Sequence, residues 1–151
     1  MGTTLTHLLT HTTFSTKQRI PFLQRPHDRK RVFQHIEALM QQQGCPSIRV
    51  NGWEDHVHIL HHMSRTESIS KVLNVVKSAS TQWVRETIPN MSEFRWQRGY
   101  SSFSVDASNH DVLIRYIENQ ESHHQQVDFK DEMRKFYALN KIAFDEQYVW
   151  D

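Results

Sequence analysis

Apolar residues recur along this chain with two different periods. Leu5 to Phe14 mixes Leu, Thr and His with no Gly or Pro, which predicts a first strand carrying His11. Residues 15–27 hold two prolines and read as a loop. From Asp28 to Gln43 the period changes to that of a helix: Val32, Phe33, Ile36, Leu39 and Met40 make one apolar stripe, and Gly44 offers a stop. Ile48–Trp53 and Asp55–His62 read as two strands. Their link near Glu54 is too short for a parallel crossover, so they form an antiparallel hairpin.

A second helix is predicted over Thr66–Thr87, with Ile69, Val72, Leu73, Val76, Ala79 and Val84 buried, Thr66 or Ser68 as cap and Pro89 beyond its end. Residues 91–99 are irregular, with Phe94 and Trp96 packing on the core. Tyr100–Val105 alternates aromatic and small residues as a fourth strand. One long helix is expected over Asn109–Gln126, a shorter one over Phe129–Asn140, and an extended tail from Ile142 to Asp151. The order β-α-β-β-α-β matches the split β-α-β plan of the α+β class: four antiparallel strands with two helices on one face, followed by C-terminal helices. The other face of the sheet is expected to be available, and the histidines of the third strand can point there.

Length and composition fit this picture. A chain of 151 residues, 37% apolar and 23% charged, suits one domain with its own core. No apolar run reaches membrane-spanning length, and the N-terminus lacks a signal-peptide layout, so cytoplasm is the expected compartment. Cys45 is alone, which excludes an internal disulfide and a cysteine zinc ribbon. With only four glycines and no phosphate-binding glycine loop, no nucleotide cofactor is expected. The net charge of +1 hides an asymmetry. Residues 118–151 carry eight acidic and four basic side chains, whereas Lys17–Arg31 holds six basic residues against Asp28. Such a segment can meet phosphates or simply be solvated.

The candidate chemistry centres on Trp53-Glu-Asp-His56-Val-His58-Ile-Leu60. On a strand His56 and His58 share a face, and two imidazoles can hold a divalent ion if a third ligand approaches. His61 and His62 read as the polar end of the same strand. Tyr116 and Gln120 lie four apart on the third long helix and share its face. Tyr116 can be a nucleophile and Gln120 a metal ligand, or they can be a boundary aromatic and a solvated amide. Lys17, Arg19, Arg29, Arg31, Lys77, Arg95, Arg98 and Tyr100 are candidate DNA contacts, by phosphate pairing or stacking.

Five segments in order carry a resemblance: His11-Thr-Thr-Phe-Ser-Thr-Lys-Gln-Arg19, the Trp53–Leu60 segment, Phe94-Arg-Trp-Gln-Arg-Gly-Tyr-Ser-Ser-Phe-Ser-Val105, Tyr116-Ile-Glu-Asn-Gln120-Glu-Ser-His-His124, and Phe144-Asp-Glu-Gln-Tyr-Val-Trp-Asp151. Together they resemble the single-tyrosine HUH transposases of bacterial insertion sequences, including the REP-associated tyrosine transposases. The resemblance implies that His56, His58 and Gln120 hold Mg2+ or Mn2+ and that Tyr116 is the nucleophile. It further implies that single-stranded DNA with hairpins is cut and rejoined through a 5′-phosphotyrosine. A homodimer is also implied, with the tyrosine helix in cis or in trans. His61-His62 and Thr12-Thr13 depart from the family pattern. The competing functional class is a non-catalytic, RRM-like nucleic-acid-binding module or a domesticated relative; the imidazoles where such a module displays aromatic residues favour metal chemistry.

Overall fold

A computed structural model describes residues 2–151. Its four strands, β1 (Leu9–Ser15), β2 (Ser47–Trp53), β3 (His56–His62) and β4 (Ser101–Ser104), form one antiparallel sheet in the order β2-β3-β1-β4. This is the split β-α-β arrangement expected from the pattern. Residues 5–8 precede β1 rather than joining it, and Leu5 and Leu8 are exposed.

Period two sorts the central strands into two faces. Phe14, Val57 and Ile59 meet helices α1 (Pro26–Gln42) and α2 (Ile69–Thr87), whose Val32, Phe33, Ile36, Met40, Val72, Leu73, Val76 and Val84 complete the main core. Phe94 and Trp96 pack into the same cluster, as expected. The cap of α2 is Ser68, which accepts from the Lys71 N–H at 3.1 Å, and not Thr66. α1 starts at Pro26, two residues before the expected Asp28, because the fixed φ of proline suits the first helical turn. His61 is not a polar strand end. It is fully buried on the α1/α2 face, its Nε2 2.8 Å from the Thr12 hydroxyl, so one departure from the family pattern answers the other.

The opposite face is not open. Helices α3 (His110–Glu118), α4 (Gln120–His124) and α5 (Phe129–Leu139) roof it. Leu9, Leu60 and Ile117 form one apolar cluster beneath this roof, and Phe103, Phe129, Met133, Tyr137 and Trp150 form another. The helix expected over Asn109–Gln126 is interrupted. A 3-10 turn covers 107–109, and Asn119 (φ −94°, ψ 20°) separates α3 from α4. Asparagine is a weak helix former because its amide competes for backbone partners. The expected extended tail instead folds into turns: Asp145 O accepts from both Tyr148 and Val149, and Trp150 is buried against α5. No helix is long and apolar enough to cross a membrane among the described residues.

Candidate metal and tyrosine site

The hairpin between β2 and β3 sets the site. Its turn is only Glu54-Asp55, and Gly52 lies under the crossing chain: a Cβ there would sit 2.1 Å from the His56 carbonyl oxygen. The close approach holds β3 so that His56, His58 and Leu60 face the roof, where both imidazoles are fully buried.

Each imidazole is held from behind. His56 Nδ1 lies 2.7 Å from Asp55 Oδ1, and His58 Nδ1 lies 2.8 Å from His11 Nε2. Both Nε2 atoms therefore point the same way, into a polar centre made by α3, α4 and α5. His56 Nε2 is 3.1 Å from Gln120 Oε1 and 3.5 Å from Glu132 Oε1; His58 Nε2 is 2.9 Å from Glu132 Oε1. His124 Nε2 is 2.9 Å from Gln120 Oε1 and 3.2 Å from Glu132 Oε2. The Gln120 amide donates to Glu132 Oε2 at 3.2 Å, which turns its carbonyl toward the imidazoles. The Tyr116 hydroxyl donates to Glu132 Oε2, with His123 Nε2 3.3 Å away.

Tyr116, Gln120, His56 and His58 thus meet within one chain. The break at Asn119 does not separate Tyr116 from Gln120, whose amide stays 3.5 Å from the Tyr116 carbonyl. His11 lies on its strand as anticipated, fully buried, touching His58 and flanked by Phe136 at 5.0 Å.

Burial governs the protonation states. It pushes His58 down, against the pull of Glu132, and pushes His11 well down with help from His58. Neutral imidazole is the form that binds metals. Burial would raise Glu132, but His58, hydrogen bonds from His124 and His58, and His56 hold it well below the usual carboxylate range. Tyr116 is pushed upward, first by burial and then by the Glu132 charge, so the phenol keeps its proton at neutral pH.

The donor chemistry fits a divalent ion. With Asp55 taking the Nδ1 proton of His56, the Nε2 lone pair faces an amide carbonyl and a carboxylate, all acceptors. A cation between them satisfies the set, and Asp55 and His11 supply the outer hydrogen bonds that orient metal-binding imidazoles. One ligand atom each from His56, His58, His124 and Glu132 lie within 4.8 Å of one another. The buried Thr13 hydroxyl, opposite His58 in the β1–β3 pairing, has no hydrogen-bond partner among the described residues.

Two of these groups escaped the reading of the sequence. His124 follows Gln120 by four residues, and that helical spacing was the available signal. Glu132 sits inside the apolar stripe Phe129, Met133, Phe136 and Tyr137 of α5; a carboxylate on a buried stripe was the available signal.

The candidate DNA contacts are distributed. Arg19 reaches the Trp150 carbonyl at 3.1 Å, Arg29 the Leu23 carbonyl at 2.8 Å while stacking over Trp53, and Arg31 lies over Trp83. The Lys77 ammonium donates to the Arg98 and Gly99 carbonyls at 2.9 and 2.8 Å, and burial brings its pKa down to about 8. Lys17 and Arg95 are adjacent through a 2.9 Å backbone bond, with Arg95 exposed. Arg98 and Tyr100 line, with Lys71 and Lys77, a cavity of about 580 Å3.

The four-stranded antiparallel sheet with its five helices has the α+β fold of solved tyrosine transposase structures. The family model described as "Transposase IS200 like" matches residues 4–120, and the chain belongs to that family. Among solved structures, a provisionally assigned transposase of Deinococcus radiodurans R1 superposes with a TM-score of 0.61 at 20% identity, covering 78% of this chain and 93% of its own. A REP-associated tyrosine transposase bound to a REP hairpin superposes with a TM-score of 0.59 at 13% identity, covering 84% of this chain and 76% of its own. No curated protein matches the chain. Residues 121–151, with His124, Glu132 and all of α5, lie beyond the family match.

Proposed function

We propose that this transposase cuts and rejoins single-stranded DNA through a 5′-phosphotyrosine on Tyr116, with a divalent ion, Mg2+ or Mn2+, held by His56, His58 and Gln120. The observation that carries the reading is the meeting of Tyr116, Gln120, His56 and His58 around one carboxylate in one chain. When bound, the ion polarises a phosphate oxygen and offsets charge that develops during displacement.

The chain supplies the rest. His11 and Asp55 fix the two imidazoles, and the short Glu54-Asp55 turn fixes their spacing. The Tyr116 oxygen forms a bond to phosphorus as the bond to the 3′-oxygen of the preceding nucleotide breaks. The phenol proton passes by way of Glu132 Oε2, its present acceptor, to the departing 3′-oxygen, which leaves as a hydroxyl. Attack by a 3′-hydroxyl on the phosphotyrosine reverses these bond changes and joins a strand.

Hairpin recognition is supported by the relative bound to a REP hairpin. Arg95, Arg98 and Tyr100 are exposed, and Lys77 lines the cavity with the last two; these are the foremost candidates for phosphate pairing and base stacking, with half-buried Lys17, Arg19, Arg29 and Arg31 beside them. Residues 1–151 act as one HUH unit in this reading, the working form is a homodimer, and the tyrosine serves its own chain's site.

The test is covalent capture. Hairpin-bearing single-stranded DNA mixed with the protein and Mn2+ should give an adduct that survives denaturing electrophoresis, and Tyr116→Phe should abolish it. His56→Ala should lower adduct yield about 100-fold or more, the scale on which loss of an activating group acts, while hairpin affinity stays within about twofold. Adduct formation by the Tyr116→Phe protein would remove the nucleophile from this account.

A further inference from the structure

We propose that Glu132 and His124 are themselves metal ligands, so that this chain holds a transition-metal ion before DNA arrives. The inference rests on the function proposed above and adds to it a resting metal site of defined class.

Three observations point this way. The Nε2 atoms of His56, His58 and His124, the Gln120 carbonyl and Glu132 Oε1 turn toward one centre, and His56, His58, His124 and Glu132 alone form a cluster spanning no more than 4.8 Å. The side chains of His56, His58, His124 and Glu132 are all at most 2% exposed. Glu132 divides its labour: Oε1 faces the two strand imidazoles, while Oε2 takes the Tyr116 hydroxyl, the Gln120 amide and His124.

Chemistry then selects the ion. Three imidazoles with one carboxylate and one amide oxygen form a nitrogen-rich set, suited to Zn2+, Co2+, Fe2+ or Mn2+. Mg2+ prefers oxygen ligands and keeps several waters, and a set buried to this degree leaves it few. A site with only His56, His58 and Gln120 would leave its remaining positions to water or phosphate oxygens and would hold the ion less tightly before DNA arrives.

The same carboxylate links two parts of the site. Through Glu132, the occupant of the metal centre shares a ligand with the hydroxyl of Tyr116. Because α5 lies beyond the segment that defines the family, this linkage belongs to the chain's own C-terminal region.

The test uses the full-length, metal-stripped protein without DNA, titrated calorimetrically with Mn2+, Co2+ and Zn2+ singly, and followed by the visible spectrum of Co2+. Wild type should bind one ion per chain, and a large excess of Mg2+ should not displace it. Glu132→Gln, which keeps the volume but removes the charge and turns one accepting oxygen into a donor, should weaken Co2+ binding by at least the roughly 10- to 100-fold typical of losing even an outer partner, and should change the Co2+ spectrum. His124→Asn should do the same, and it decides the matter if the Glu132 variant does not fold. Unchanged affinity and spectrum in both variants, or ion binding by wild type only once hairpin DNA is added, would overturn the inference while leaving the tyrosine chemistry standing. Loss of the tyrosine adduct from wild type with every ion would mark failure of the underlying function instead.

Discussion

Glu132 is a single buried carboxylate that meets a phenol, an amide and four imidazoles. Its neighbours make the site sensitive to acid. The folded pKa of His58 and of His11 is below the ordinary histidine value, so the unfolded chain binds more protons as pH falls below about 6.5. Stability is therefore full above that pH and declines through the range between the unfolded and folded values. Thermal melts of the metal-free protein should show Tm falling from about pH 7.5 to pH 5.5, with the fall reduced in His11→Gln. A flat profile would mean that these imidazoles are solvated or already charged. Glu132 adds the same sign lower down, its contribution being lost as pH falls below the ordinary carboxylate range, about 4.3. Gly52→Ala is the sharpest backbone test, because the new methyl meets the His56 carbonyl. It should destabilise the fold by about 3 kcal/mol or more, read by denaturant unfolding. That His56 and His58 share one strand face was legible from their spacing; their reading as a metal pair came with the resemblance. Glu132 was not legible, since a carboxylate on an amphipathic helix ordinarily faces water, and only the fold shows it pointing inward.

Among the elements, α5 and the tail after it have most to do with the site and left the least sign in the pattern. The helical period gave α1, α2 and the extent of α5 closely, because each has one apolar stripe and one partner surface. It also gave one helix where there are two, since Asn119 breaks α3 from α4 without breaking the period. The tail turns locally on Asp145, but the groups that hold it folded against the domain are distant in sequence: Gly99 donates to the Asp151 carbonyl at 3.1 Å, and Arg19 to that of Trp150. Trp150, buried with Phe129 and Tyr137, anchors α5. Trp150→Ala should cost about 3 kcal/mol and raise amide exchange over residues 129–139 while β1 and β3 stay protected. Uniform loss of protection would show that α5 has no local stability of its own.

At the scale of the whole molecule, the strand order followed from the alternation of periods, because an antiparallel hairpin flanked by two helices leaves few topologies. The roof over the second sheet face did not follow, since nothing in α3 to α5 states which surface their stripes will cover. The resulting molecule is basic before residue 118 and acidic after it, and the acidic portion includes α4 and α5 of the roof. Hairpin affinity should accordingly fall with salt. Replacing Arg95 and Arg98 together by Gln should flatten the plot of log affinity against log salt by about 1.4, near 0.7 per lost contact to single-stranded phosphate; an unchanged slope would place the DNA elsewhere. Peptide mapping by mass spectrometry of the adduct with hairpin-bearing single-stranded DNA bears on the central claim most directly. The account predicts a nucleotide mass on the peptide carrying Tyr116 and on no other; the mass on Tyr100, Tyr137 or Tyr148, or on no tyrosine, would contradict it.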